Sequence, residues 1–505
     1  MEHRHTPVLL RRRRLAFAFG FILLTSTLYF GFSAHSAESI EEHRSVLVSH
    51  PEETRQCGQP KVKDEDEFNP LSYLVGPPTQ SFRDNLRNDT KYITSFYGAG
   101  WSTSFLVDIN ARTDAYGYQA NDVMTMVNQH YCVTEQVTDV LQANLIYLAK
   151  ITDRIPIIPA FTPMYHVGDD WELPAIPFGD IFDVPRLSKE LGLPVLEWHQ
   201  VKNPDSEEID DYGCWSVWSV VQTLGDGRMD GPRRNRAPLD IGLDISYTPV
   251  PDWVPERRNF HTRFWKLAPL TFPGTYARSI REKSPIPSER TGLTLPPDEQ
   301  VACFDYLYFV GAFEEFEFEH EWSPSWRHVL KHCRWTSKVE NLAMYYLRRA
   351  LRVPPSADIP PYIAIHSRHG DFGIFCGDIP DGVPAFIHCF VSVSRIAESV
   401  SEIQQELLER DGVTIPNSHV IMTSDETDPA WWDLVASHGY TWVDFKKERV
   451  VETLGAWYPT FIDAVIQSGG AGFVGTEEST MSLIAARRTR DWHGGVTRFV
   501  PRRPS

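Results

Sequence analysis

Basic residues are the first shortage: 49 Lys and Arg stand against 67 Asp and Glu, a formal charge of -18 at pH 7. A nucleic-acid partner would require a broad basic face to meet its phosphate backbone, so this balance argues against one. A small nucleotide-sugar stays compatible, because one well-placed arginine suffices for a diphosphate. Cysteine is sparse as well. The seven cysteines, at 57, 132, 214, 303, 333, 376 and 389, form no CxxC and pair with no histidine at metal-ligand spacing, so no zinc or dithiol motif is present. No Asp-x-Asp metal motif follows a predicted strand, and neither a metal nor another cofactor is expected.

With 505 residues the chain exceeds one hydrophobic core and suits two domains with extra segments. Arg11–Arg14 precede the uncharged run Leu15–Phe32. A spanning helix needs about 20 residues, and the positive-inside rule then keeps residues 1–14 cytosolic and sends the rest of the chain into the lumen as a type II protein. The competing reading is a cleaved signal peptide, since small residues at Ser33, Ala34, Ser36 and Ala37 follow the run. Either way the expected compartment is the Golgi or endoplasmic reticulum, where some cysteines would pair. The sequon Asn88-Asp89-Thr90 suits it too. Residues 33–90 are polar, acidic and proline-containing, and read as a stem.

From Lys91 onward strands and helices alternate, which predicts parallel sheets with crossover helices. Strands are expected at 92–96, 155–159 and 194–198. Residues 203–300, acidic and rich in tryptophan and proline, read as an elaboration of a first domain spanning 91–335. Ser337 and Glu340 form a capping box for a helix presenting Ala343, Leu347, Ala350 and Leu351 on one face. A second domain, 336–505, then reads strand 362–366, helix near 390–410, strands 419–424 and 440–445, helix 457–468, strand 472–475 and helix 479–488.

Three stretches carry chemistry. In His366-Ser367-Arg368-His369-Gly370-Asp371-Phe372 an arginine and a carboxylate follow the apolar run Tyr362–Ile365 in a glycine-containing turn. A guanidinium at a strand's carboxyl end is placed to fork onto phosphate oxygens. The second stretch is Val420–Glu426, a strand ending in Ser424-Asp425, and the third runs from Asp463 through Gly472–Thr476 to Ser479-Thr480-Met481. In this order the three resemble the motifs of the GDP-fucose protein O-fucosyltransferase family, in a fungal-type member, over most of the C-terminal third. The resemblance implies an α/β GT-B architecture, two Rossmann-like domains facing a cleft. It also implies an inverting transfer of fucose from GDP-fucose to a protein Ser/Thr hydroxyl. A glycan acceptor, as for α1,6-acting relatives, and a catalytically silent nucleotide-sugar or glycan-binding protein are the alternatives.

Carried over from the family, Arg368 would hold the β-phosphate and stabilise the leaving GDP. His366 and Asp371 would contact the nucleotide or orient the arginine; a structural histidine is the equal alternative. Thr476, Ser479 and Thr480 would meet phosphates, Asp463 would accept the guanine edge, and Asp425 would serve the same donor pocket. Glu477 and Glu478 intervene, and beside a diphosphate they would repel it unless turned to solvent. The first-domain signature is matched by Gly117-Tyr118-Gln119-Ala120-Asn121-Asp122, with Asn121 facing the sugar and the acceptor, and Asp114 and Asp122 as candidate bases. Removing Val127–Gln142 would join Asn121–Met126 to Ala143–Lys150 in one continuous helix, so the block reads as an in-frame unspliced intron or as a helical insertion.

Overall fold

The computed structural model describes residues 68–96, 135–162, 173–218, 232, 236–256, 261–314, 317–376 and 384–502. The expected α/β architecture is what it contains, in the form of two parallel sheets. The first has six strands in the order β3-β2-β1-β7-β4-β5: β1 is Tyr92–Ser95, β2 Ile155–Ile158, β3 Leu196–Glu197, β4 Asp210–Ser216, β5 Leu243–Pro249 and β7 Val301–Phe304. A two-stranded piece pairs β6, Thr262–Arg263, with β8, Val310–Gly311. The second sheet has the order β10-β9-β11-β12, with β9 at Ile363–Ser367, β10 at Val420–Ser424, β11 at Gly472–Thr476 and β12 at Val496–Val500. The core strands of both sheets are buried, as strands covered on both faces must be.

The longer helices are α1, Glu135–Thr152; α2, Val184–Leu191; α3, Ser337–Ala350; α4, Val393–Asp411; α5, Pro429–Ser437; α6, Tyr458–Gly469; and α7, Thr480–His493. Their ends follow local chemistry. Ser392 caps α4 by accepting from Arg395 N, and Gly412 in the left-handed region closes it at φ 68°. The cap of α3 is Thr336 rather than Ser337: its side chain accepts from Val339 N, which leaves Ser337 as the first helical residue. Ala343, Leu347 and Leu351 of that helix are buried as its periodicity predicts.

Three expectations are corrected. Residues 203–300 are no appendage, since β4 and β5 are strands of the first sheet. Their sequences look loop-like because they carry aspartates, yet these are satisfied internally: Asp210 pairs with buried Lys202 at 2.8 Å, and Asp244 accepts from Thr291 N at 2.7 Å. Residues 68–90, expected in the stem, belong to the fold. Phe82 is fully buried against Trp198 and Tyr212, ring centroids 5.6 and 5.4 Å apart. The strand expected at 440–445 shrinks to one bridge, Ile421 to Thr441, because the chain turns at Asp444, whose carboxylate accepts from Lys447 N.

Helix α1 begins inside the block 127–142, and its Gln142 is buried and donates to Pro159 O at 3.3 Å. The expected membrane segment at 15–32 lies outside the described residues, among which no helix is long and apolar enough to cross a membrane.

Helix α7 joins the two halves. Arg488, fully buried, lies over the rings of Trp335 and Phe182 at 4.3 and 5.5 Å, and Arg487 donates to Phe318 O at 2.5 Å. Trp326 Nε1 donates to Asp491 at 2.8 Å. Among the described residues two disulfides are present, Cys214–Cys303 between β4 and β7 and Cys376–Cys389 beside the Arg368 loop, while Cys333 is buried.

Cys214–Cys303 closes a separation of 89 residues, and cross-links of this span commonly contribute about 2–4 kcal/mol. The double variant Cys214→Ala, Cys303→Ala should lose stability of that order in urea unfolding. Equal unfolding midpoints with and without the cross-link would show that it adds nothing.

Candidate functional site

The second sheet brings the three motifs together. β9 pairs in parallel with β10 and with β11, so that His366 lies between Thr423 and Gly475. The carboxyl ends of these strands therefore finish side by side, although about 50 residues separate consecutive motifs. Counted within this half, the strand order is 2-1-3-4, and its reversal falls between β9 and β11. In open α/β sheets the ligand crevice opens at such a reversal.

Arg368 sits at this point and is only 6% exposed. Its backbone N–H donates to Thr476 Oγ1 at 3.0 Å, and the same hydroxyl donates to His366 O at 3.1 Å, which ties the end of β9 to the end of β11. Its guanidinium is ion-paired through Nη1 with Asp425 Oδ2, and Asp425 Oδ1 accepts from His369 N at 2.8 Å. One carboxylate thus fixes both the arginine's fork and the turn that carries it. Asp425, expected only as part of the donor pocket, orients the arginine. Asp371 lies in the 3-10 turn Gly370–Phe375, with its side chain outside the described residues. Gly370 has φ 36°, and a Cβ there would collide with the Asp425 carboxylate, so this turn takes no larger residue without displacing the pair.

His366 points its ring into the protein. It is buried, and Nδ1 lies 2.7 Å from Ser482 Oγ, which also accepts from Thr476 N at 2.9 Å. Burial, reinforced by the nearby Arg368 charge, pushes the imidazole down to about 3. Behind the arginine a second pair supports the loop. His369, 1% exposed, reaches Glu426 Oε2 through Nδ1 at 2.7 Å and stacks on Phe390 with centroids 4.2 Å apart. Burial works against the Glu426 charge, but His369 and the amides of Asp428 and Thr427 hold the carboxyl below its ordinary range.

Ser479 caps α7 by accepting from Ser482 N, and Thr480 opens the helix; both are buried. The amino terminus of α7, with its unpaired amides and positive dipole end, faces the Arg368 end of the sheet. Glu477 and Glu478 are exposed, and Glu478 pairs with Arg502 at 2.6 Å. Asp463 lies on α6 one turn before Gln467, on the same face, and Gln467 Nε2 donates to Thr423 Oγ1 at 2.8 Å. Since α6 runs antiparallel to the strands, Asp463 stands nearer their carboxyl ends than Thr423 does. Desolvation holds its carboxyl well above the ordinary aspartate range.

Asn121, with Asp114 and Asp122, lies outside the described residues. Sequence reasoning passed over Ser482, Glu426 and Phe390. Glu426 is the last residue of the second motif stretch but drew no role there, and Ser482 lies three residues past Ser479, where a capping bond would direct attention. No local signal announces Phe390.

No family model and no curated protein matches the chain. Among solved structures it is similar to POFUT1 in complex with GDP-fucose, at 15% identity and a TM-score of 0.44, covering 82% of this chain and 98% of that one. A POFUT1 structure in complex with GDP has the same identity and score, over 82% and 99%. The NodZ alpha-1,6-fucosyltransferase soaked with GDP-fucose is 12% identical with a TM-score of 0.29, over 69% and 86%.

A buried neutral histidine makes stability depend on pH. The unfolded chain binds a proton at His366 near 6.5, the folded chain only near 3, so its contribution is intact above about pH 6.5 and falls as the pH drops toward 3. His366→Asn should flatten this dependence, seen as a smaller fall in Tm between neutral and mildly acidic buffers. An unchanged slope would mean that His366 is not buried neutral.

Proposed function

We propose that the protein is a GDP-fucose-dependent fucosyltransferase that transfers fucose to a Ser or Thr hydroxyl of a protein acceptor with inversion. The observation that carries this reading is Arg368: a nearly buried guanidinium at the strand-order reversal, its plane fixed by Asp425, beside the amino terminus of α7. A preorganised cation of this kind acts where negative charge develops. In the proposed step the acceptor oxygen bonds to C1 of fucose while the C1–O bond to the β-phosphate breaks. The electron pair leaves with GDP, where Arg368 neutralises it, and the acceptor's proton passes to a base for which Asp114 and Asp122 are the candidates. No metal cofactor has a part in this scheme.

The donor contacts are assigned accordingly. Arg368 and the α7 amides, with Thr476, Ser479 and Thr480 around them, meet the diphosphate. Asp463 accepts from the guanine edge, whose N–H donors favour the charged carboxylate that desolvation otherwise disfavours. His366 acts through its backbone and supports the strand ends. The silent-binder alternative drew on Glu477 and Glu478; both are exposed, and the Glu478 charge is paired with Arg502. A glycan hydroxyl as acceptor differs only beyond the donor pocket.

The test is GDP release from GDP-fucose with candidate peptide and glycan acceptors. Arg368→Lys keeps the charge but loses the planar fork, so turnover should fall on the order of a hundredfold or more while GDP affinity changes far less. Unchanged turnover would remove Arg368 from the reaction.

We also propose that residues 15–32 anchor the chain as a type II protein of the Golgi or endoplasmic reticulum with the catalytic part lumenal. Two internal disulfides fit an oxidising compartment, and Asn88 is exposed for glycosylation. In intact microsomes the residues after Phe32 should resist protease until detergent is added. Digestion without detergent would reverse the orientation.

A further inference from the structure

A surface that the donor chemistry leaves unused lies on the segment bonded to α7 through Arg487 and Arg490. Trp265 and Phe313 are 46% and 64% exposed. Their ring centroids are 5.8 Å apart, and Phe313 continues to Trp322 at 5.9 Å. Exposed contiguous aromatic surface of this kind marks an interaction site more often than isolated apolar residues do. The segment bearing it is held rigidly: Glu317 Oε2 accepts from Ala312 N and Phe313 N at 2.7 and 2.6 Å, Phe318 O accepts from buried Arg487, and Glu321 pairs with Arg490 at 2.6 Å. Arg487 and Arg490 belong to α7, so the platform is fixed to the helix whose amino terminus reaches the candidate site.

Two observations indicate what would sit there. One ring already holds a cation of this chain, since the Arg263 guanidinium lies 5.3 Å over Trp265, and the His320 ring stacks on Trp322 at 5.1 Å with Glu314 3.0 Å away. Glu319 is exposed, and among the described residues it carries no ion pair. It lies within range of the Glu478 charge at the turn before α7; desolvation, then Glu478, raise its carboxyl, opposed by His320 and Arg487. A carboxylate in this position gains from an added cation, and exposed π faces attract the same groups. The chain's charge of -18 would draw a basic partner toward it.

We propose that Trp265, Phe313, Trp322 and Glu319 form a docking surface for a basic stretch of the polypeptide acceptor. Arginine or lysine side chains lie on the exposed rings and pair with Glu319, which holds the acceptor next to the strand ends that carry Arg368. This rests on the reading that the acceptor is a polypeptide, and it gives the reason such an acceptor would be retained: the contacts lie outside the donor pocket and add affinity without touching GDP-fucose.

The test is calorimetric titration of the full chain with a hexa-arginine peptide at near-physiological salt, with hexaglycine and a neutral mannose oligosaccharide as comparison probes. Saturable binding of hexa-arginine alone is expected. It should weaken about fivefold or more in Phe313→Ser and in Glu319→Gln, and stay unchanged in Glu398→Gln, an exposed carboxylate on α4. Equal affinity in all variants would mean diffuse attraction to the acidic chain and would overturn the proposal, as would absence of peptide binding. Binding of the oligosaccharide instead, lost in the same variants, would overturn it in favour of a glycan platform. GDP affinity, measured in the same samples, separates the two readings: its absence alone would defeat the transferase assignment and not the docking surface.

Discussion

The parallel pairing of β9 with β10 and β11 is the constraint on which the rest of the site depends. A parallel ladder sets register residue by residue, so that Ser367 lies opposite Ser424 and His366 opposite Gly475. Slipping one strand by a residue would turn its side chains to the other face and separate Arg368 from both Asp425 and Thr476. The side-chain bonds at the strand ends reinforce this register at its last step: Ser424 Oγ donates to Ser367 O at 2.6 Å, and Thr476 bridges His366 and Arg368. Gly475 permits it, because a Cβ there would come within 2.7 Å of the Ser482 side chain.

Helix α7 carries this order outward. Its first turn lies at the strand ends and its body is buried against both the second sheet and the first half of the chain, with Ile484, Ala485, Ala486, Arg487 and Arg488 almost fully covered. Two adjacent buried arginines are costly unless their charges are matched. Here tryptophan faces and backbone carbonyls take that role, and burial, opposed by Glu321 and Asp491, pushes Arg487 down to about 10. The helix that presents amides to the site is therefore the one that holds the halves together, so a shift at the interface would be felt at Thr476.

Electrostatically, an acidic protein concentrates one cation where it counts. The buried Arg368 guanidinium is ion-paired with Asp425, and Asp425 in turn is anchored by the backbone N–H of His369. Glu477 and Glu478 would oppose an anion there if they faced inward. The backbone at Glu478 is left-handed, φ 64°, and the charge of that residue is paired with Arg502.

Local chemistry was enough to find the alternation of strands and helices, the three motif strands, Arg368 and Asp425, because apolar runs, caps and an arginine after a strand are read within a few residues. What was lost had non-local causes. β4 and β5 were invisible because their buried aspartates are satisfied by partners outside their own strands, Asp210 by Lys202 and by Ser81, 129 residues away, and Asp244 by the amides of Arg290 and Thr291, 46 and 47 residues away. Residues 68–90 read as a stem because Phe82 finds its aromatic partners only in the folded sheet. The contact of Asp425 with the arginine was not legible, because strand pairing brings that carboxylate from 57 residues away. The identity of the site's residue types was thus determined by the sequence alone. Which of them touch, and which way His366, Glu477 and Glu478 face, was decided by the tertiary structure, since only packing and register bring distant partners within hydrogen-bonding distance.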